Sequence, residues 1–258
     1  MKKILLFGAL ALCSSFMLTA CGGEDVFNYG KDKSIIMGLK KDVKTINIPK
    51  GTKEIYKLAF TMNDKIQKVV LNDELEIIGQ QAFSECTSLK EIVFSNSLTE
   101  IGSGAFGGCD SLKTLTINGN NLTVGSGAFA NCEGLEKVTI NKKVKSLKSD
   151  VFMGCSNLDY VDIKSEDVTI SADAFWGCRV TNLVLPKGLE SINRSSFEDC
   201  NLYHVFYNGT EEEFENVNAI GFEKGSIYYD SVCFYSETKP TTDGRFWHYD
   251  ASNEAAMW

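Results

Sequence analysis

Apolar positions recur along this chain at one long interval. Phe60, Phe83, Phe106, Phe129, Phe152, Phe175 and Phe197 stand 23, 23, 23, 23, 23 and 22 residues apart. Phe is only 16 of the 258 residues, so the column is not accidental. Ala59, Ala82, Ala105, Ala128 and Ala174 precede five of these rings, with Val151 and Ser196 before the other two. Three residues after each Phe stand Cys86, Cys109, Cys132, Cys155, Cys178 and Cys200, with Asn63 in the first copy. A second apolar column is Ile55, Ile78, Ile101, Val124, Leu147, Ile170 and Ile192. A third element begins at Val43, Ile66, Leu89, Leu112, Leu135, Leu158, Val180 and Leu202, as in Leu112-Lys113-Thr114-Leu115-Thr116-Ile117. Its last three residues alternate at period two, which predicts a half-buried strand. Each repeat therefore predicts a strand, a turn, a short second extended piece and a tight Ala-Phe turn or helix. No single copy has two packed faces of its own, so stacking must bury the columns. Each buried Phe then contributes about 1.5–3 kcal/mol.

The spacing Leu-x-x-Leu-x-Leu is the signature of a leucine-rich repeat. The runs Ile101-Gly102-Ser103-Gly104-Ala105-Phe106-Gly107-Gly108-Cys109 and Ile78-Gly79-Gln80-Gln81-Ala82-Phe83-Ser84-Glu85-Cys86 resemble the BspA-type repeat of bacterial surface proteins. The likeness extends from about Val43 to Val205. It implies an α/β repeat protein, mainly β: a right-handed solenoid of about seven coils of 22–23 residues, closed by a C-terminal capping segment. The proline usual after the strand survives at Pro49 and Pro186, so strand ends are expected to vary between coils.

At the front, Met1-Lys2-Lys3 precedes an apolar stretch from Ile4 to Leu18, too short for a good membrane span and shaped as an export signal. Leu18-Thr19-Ala20-Cys21-Gly22 resembles a bacterial lipobox. That likeness implies cleavage before Cys21 and a diacylglyceryl group on its sulfur, since two or three acyl chains hold a domain to a membrane where one binds reversibly. The alternative is an ordinary secretory signal with a chance cysteine. Residues 1–20 are thus read as signal peptide, 21–42 as lipidated cysteine and tether, 43–205 as solenoid and 206–258 as cap. In the last segment Thr210 and Glu213 form a capping-box pattern ahead of Phe214. Ser231-Val232-Cys233-Phe234-Tyr235 reads as a strand, and Arg245-Phe246-Trp247-His248-Tyr249 is rich in aromatics. A solenoid end needs covering; a carbohydrate-binding aromatic patch is the functional alternative.

Net charge is −8, or −10 once Lys2 and Lys3 leave with the signal, which gives no electrostatic reason to bind nucleic acid. The cysteine column does not fit a metal, because alternate coils lie nearly ~10 Å apart against ~2.3 Å bonds to a tetrahedral centre. Disulfides between coils meet a Cβ separation near the strand spacing, above the usual ~3.8 Å. A column of small buried thiols remains. His204 and His248, the two histidines, have no neighbouring nucleophile in a triad pattern. No phosphate loop or zinc-protease motif occurs, and no cofactor is expected.

What is left is a surface. The strand residues pointing away from the core form two columns, Thr45, Lys68, Glu91, Thr114, Lys137, Tyr160, Asn182, His204 and Asn47, Val70, Val93, Thr116, Thr139, Asp162, Val184, Phe206. Eight strands make a face ~34 Å long, and solenoids bind with such faces. Candidate binding residues are Lys68, Glu91, Thr114, Thr116, Lys137, Thr139, Tyr160, Asp162, Asn182 and His204, with Tyr160 as anchor. A solvated sheet that binds nothing in particular is the plain alternative. Family resemblance implies a non-enzymatic surface lipoprotein that binds a protein partner in adhesion or host and matrix contact. A glycan- or peptide-binding lipoprotein of nutrient uptake is the rival, and an enzyme with an unrecognised site the third.

Overall fold

The computed structural model describes residues 25–141, 143–165, 167–219, 229–241, 244–251 and 255–258. The leader and Cys21 lie outside them. The repeat pattern becomes a solenoid with two sheets facing each other across the phenylalanines. The expected strands form at Thr45–Asn47, Lys68–Val70, Glu91–Val93, Thr114–Ile117, Lys137–Ile140, Tyr160–Ile163, Asn182–Leu185 and His204–Tyr207. They pair in parallel, one repeat out of step, so that Lys137 lies between Thr114 and Tyr160, and Thr139 between Thr116 and Asp162. This main sheet is interrupted once, between Glu91–Val93 and Thr114–Ile117. Phe94, where all other coils but the last carry Leu or Ile, stands at that gap with its ring edge-on to Phe106 and Phe129.

The second extended piece builds a ten-stranded sheet that runs past the gap without a break. Ile55, Ile78, Ile101, Val124, Leu147, Ile170 and Ile192 lie in register along it, all buried. Between the sheets the seven Phe rings follow one another at 4.9 to 5.5 Å, and from Phe83 onward their planes lie within 15° of parallel. Such stacks gain about 0.5–1.5 kcal/mol per pair beyond area burial.

The Ala-Phe segments are turns, with a short 3-10 helix only at Arg194–Phe197. Left-handed residues flank the Phe two positions before and after it, as at Leu58 and Met62 or Gly104 and Gly108. This alternation turns every second N–H toward the next coil. Leu58, Phe60 and Met62 donate to the carbonyls of Gln80, Ala82 and Ser84 at 2.9, 2.8 and 2.7 Å. The cysteine column serves the same turns from the other side. Each thiol donates to the Phe carbonyl one coil back, from Cys86 on Phe60 to Cys200 on Phe175, at 3.1–3.2 Å. Asn63 has no Phe one coil back, and its side chain instead accepts from the Lys65 and Ile66 amides. The glycine after the Ile column has a packing cause. A Cβ on Gly102 would stand 2.6 Å from the Gln80 backbone nitrogen.

Both ends carry more structure than the repeat pattern predicts. Residues 27–39, read from the sequence as part of a tether, form an antiparallel hairpin, Phe27–Tyr29 with Ile35–Leu39, that starts the ten-stranded sheet. At the other end the capping box forms as expected and opens the helix Glu211–Glu215, with Phe214 buried against Tyr207. Asn218–Ala219 and Val232–Tyr235 then extend both sheets in parallel. The solenoid therefore reaches about eight turns, one more than the seven expected. It is mainly β, and Glu211–Glu215 is the one α-helix among the described residues.

Candidate functional site

The alternation of the main strands divides the candidate face into an open part and a covered part. Inward residues such as Val69, Leu115, Val138, Val161 and Leu183 are buried in the core. Outward residues Glu91, Thr114 and Thr116 are exposed, and Lys68, Lys137 and Thr139 are half-buried. Lys68 and Glu91 satisfy each other across adjacent strands at 2.7 Å, a surface pair that contributes ~0–1 kcal/mol.

Beyond Thr139 the face closes. The strands Phe246–Tyr249 and Ala255–Met257 form an antiparallel hairpin at the edge of the main sheet, and its aromatics pack on the outer surface. Val184, Phe206, Cys233 and Trp247 make a second apolar cluster, separate from the core, with Tyr160, Tyr235, Tyr249 and Ala255 against it. Trp247 lies 5.4 Å from Phe206, and its indole N–H donates to the Tyr207 carbonyl at 2.8 Å. The aromatic tail is thus mostly spent on covering the sheet. Trp258 remains partly exposed, stacked on His248 at 3.9 Å.

This corrects the expected face. Asp162 is only 6% exposed and is not part of an open surface. Tyr160, Asn182 and His204 are half-buried. The Tyr160 ring lies under the Lys137 ammonium at 4.4 Å and against the cap cluster, so it does not present an open anchor. His204 stacks on Phe206. Cys21 lies outside the described residues. The sequence concealed the cover because the hairpin carries no repeat. Its one signal was a strand, Phe246 to Tyr249, that is aromatic on both faces.

Asp162 is a buried charge with an incomplete set of partners. One carboxylate oxygen pairs with Lys164 at 3.3 Å, while Oδ1 is buried and meets no hydrogen-bond partner. Burial pushes its carboxyl above the ordinary value, against the pull of Lys164 and Lys137. Burial, the nearby Asp162 carboxylate and Tyr235 push the Tyr249 phenol up to about 12. The thiols are equally unsuited to chemistry at neutral pH. Burial pushes Cys86 and Cys200 up to about 12 and raises Cys109 and Cys155 well above the ordinary thiol. The cysteines among the described residues are free. Among those residues no group of three His, Cys, Asp or Glu could hold a metal, and no helix is long and apolar enough to cross a membrane.

A polar groove of about 700 Å³, which the sequence reading missed, continues the open face at the ends of the strands. Asn96, Asn118, Asn120, Asn141, Lys143 and Lys164 line it. Asn118 and Asn141 lie two residues past the outward column of Thr116 and Thr139, and the Asn141 amide donates to Asn118 at 2.7 Å. The spacing of 23 between them was the available signal.

The BspA type leucine rich repeat region matches in six copies over residues 39–136 and 78–204. A leucine-rich repeat protein from Eubacterium ventriosum is 27% identical, with a TM-score of 0.62 over 68% of this chain and 48% of the other. A leucine rich cell surface protein from Faecalibacterium prausnitzii is 23% identical, with a TM-score of 0.58 over 90% and 58%. The pneumococcal vaccine antigen PcpA is 23% identical, with a TM-score of 0.55 over 83% and 46%. The chain spans about half the length of these three structures, and the last two share the fold. No curated protein matches the chain.

Proposed function

The chain belongs to the BspA-type leucine-rich-repeat family, and from that premise we propose that it is a non-enzymatic binding protein of the bacterial cell surface. In this reading Cys21 carries the lipid that holds it to the envelope, and the solenoid faces outward to take a protein partner in adhesion. The observation that carries the binding role is the open part of the outer face. Over Lys68 and Glu91 on one ladder-paired segment, and Thr114, Thr116, Lys137 and Thr139 on the next, the main strands present polar side chains that no other segment of the described chain covers. Solenoids use extended surfaces of this kind for partners. The raised thiols count against thiol chemistry, and the burial of Trp247 counts against that ring as a sugar platform.

Two measurements test this. Cys21→Ser should release the protein from the membrane fraction and abolish incorporation of labelled lipid; unchanged membrane association without lipid incorporation overturns the anchor. Thr116→Arg with Thr139→Arg, on a chain with an unchanged melt, should abolish binding to whichever member of a defined panel of purified matrix proteins the parent captures. Absence of binding to the whole panel overturns the adhesion reading.

A further inference from the structure

We propose that the groove at the strand ends is a separate binding site for an acidic oligosaccharide. The groove has the volume of a small-ligand site, since such sites span roughly 300–1,000 Å³. Its lining departs from the usual apolar one, with four asparagines, Lys143 and Lys164, and no aliphatic or aromatic side chain. An amide offers two donors and an acceptor in one plane, which matches neighbouring hydroxyls of a sugar ring. An ammonium is a point charge suited to a carboxylate or sulfate. The lining contains no carboxylate. Asp162, which pairs with the lining Lys164, is itself buried.

Charge and rigidity support the same ligand class. In a chain of net charge −8, residues 137–148 hold Lys137, Lys142, Lys143, Lys145 and Lys148 with no acid between them. Of these Lys143 lines the groove, with Lys164 beside it, and two ammonium groups in one groove of an acidic molecule favour an anion there. The groove backbone is fixed before any ligand arrives. Asn141 and Lys164 donate to the Ile117 and Ile140 carbonyls one coil back, at 3.0 and 2.8 Å, and the Lys143 carbonyl accepts from Leu122 at 2.9 Å. The lining residues lie in loops just past the strands, and these backbone bonds to the adjacent coil reduce the freedom they lose on binding. The site is distinct from the strand residues assigned to a protein partner, and its occupant is a polyhydroxylated anion.

The test is calorimetric titration of the full chain with an oligogalacturonate, a heparin-derived octasaccharide and neutral maltooctaose. At least one acidic probe should bind, more than tenfold tighter than the neutral one and more weakly as salt rises. Lys143→Glu should lower that affinity at least tenfold, and Asn118→Ala should lower it too, each with an unchanged melt. Thr116→Arg with Thr139→Arg, designed against the protein partner, serves as the comparison, so either reading can fail while the other stands. No binding of either acidic probe, equal binding of maltooctaose, or acidic binding indifferent to Lys143→Glu each overturns the proposal.

Discussion

At the scale of single residues, burial decides what each polar group can do. Asp162 is raised above its ordinary value of 3.8, so the folded chain holds that proton more tightly than the unfolded one. The cost of the buried charge is present above the raised value and fades as pH falls through it toward 3.8. Asp162→Asn should therefore melt higher than the parent at neutral pH, with the gap closing at about pH 4. The carboxyls Asp25 and Glu213, held below their ordinary values by the Phe27 amide and by Lys187, are common to both proteins and drop out of the difference. An equal gap at both pH values would rule out the buried carboxylate as its source. Tyr160 changes role on the same grounds. Its alternation was legible, and it does point away from the core, but the cluster of Trp247 and Tyr249 was not. Tyr160→Ala should now cost about 1–2 kcal/mol of stability through lost cation–π and cap packing, measured by denaturant unfolding. The six thiols of the column should stay unmodified by a thiol reagent until denaturant is added, because each is held in a carbonyl bond with its pKa raised or its sulfur buried.

At the scale of the element, one coil is a unit whose parts are set by its neighbours. Phe129 is stacked on Phe106 at 5.1 Å and on Phe152 at 5.5 Å. Phe129→Ala should cost about 3–5 kcal/mol, from lost transfer energy and the cavity left behind. Gly102→Ala should cost about 3 kcal/mol, near the top of the range for overpacking, because the atom it meets is backbone of the adjacent coil. Equilibrium unfolding of both variants checks this pair. What the sequence revealed about the coil follows from the same dependence. Columns of Phe, Ile and Leu repeat because each copy meets the same surroundings, so strand, turn and buried thiol could all be read from spacing. The hairpin Phe27–Leu39 and the last turn, Asn218–Ala219 with Val232–Tyr235, have neighbours on one side of a different kind. Their sequences answer to an end and not to a repeat, so periodicity could not show them. The groove was hidden for another reason. The column that holds Asn118 and Asn141 also carries Asn72 and Asn208, but Pro49, Ser95, Lys164 and Pro186 interrupt it, so spacing alone did not mark a site.

At the scale of the whole molecule, contacts run between successive coils, so damage should stay local at first. Trp247→Ala should speed amide exchange in Asn182–Leu185 and His204–Tyr207 while leaving the coils around Phe83 and Phe106 protected. Uniform acceleration would mean that cap and array open as one unit. The turn bonds also fix how the molecule would answer force. From the Phe60 turn to the Phe175 turn they point along the stacking direction, from one turn to the next. A pull on the two ends therefore loads each rung head-on, and the rungs part singly from an end instead of shearing together. Releasing one coil of 23 residues at ~3.5 Å per residue frees roughly 75 Å of chain beyond the spacing it occupied. Stretched between two surfaces, the solenoid would lengthen in a staircase of such steps and recoil as its coils restack.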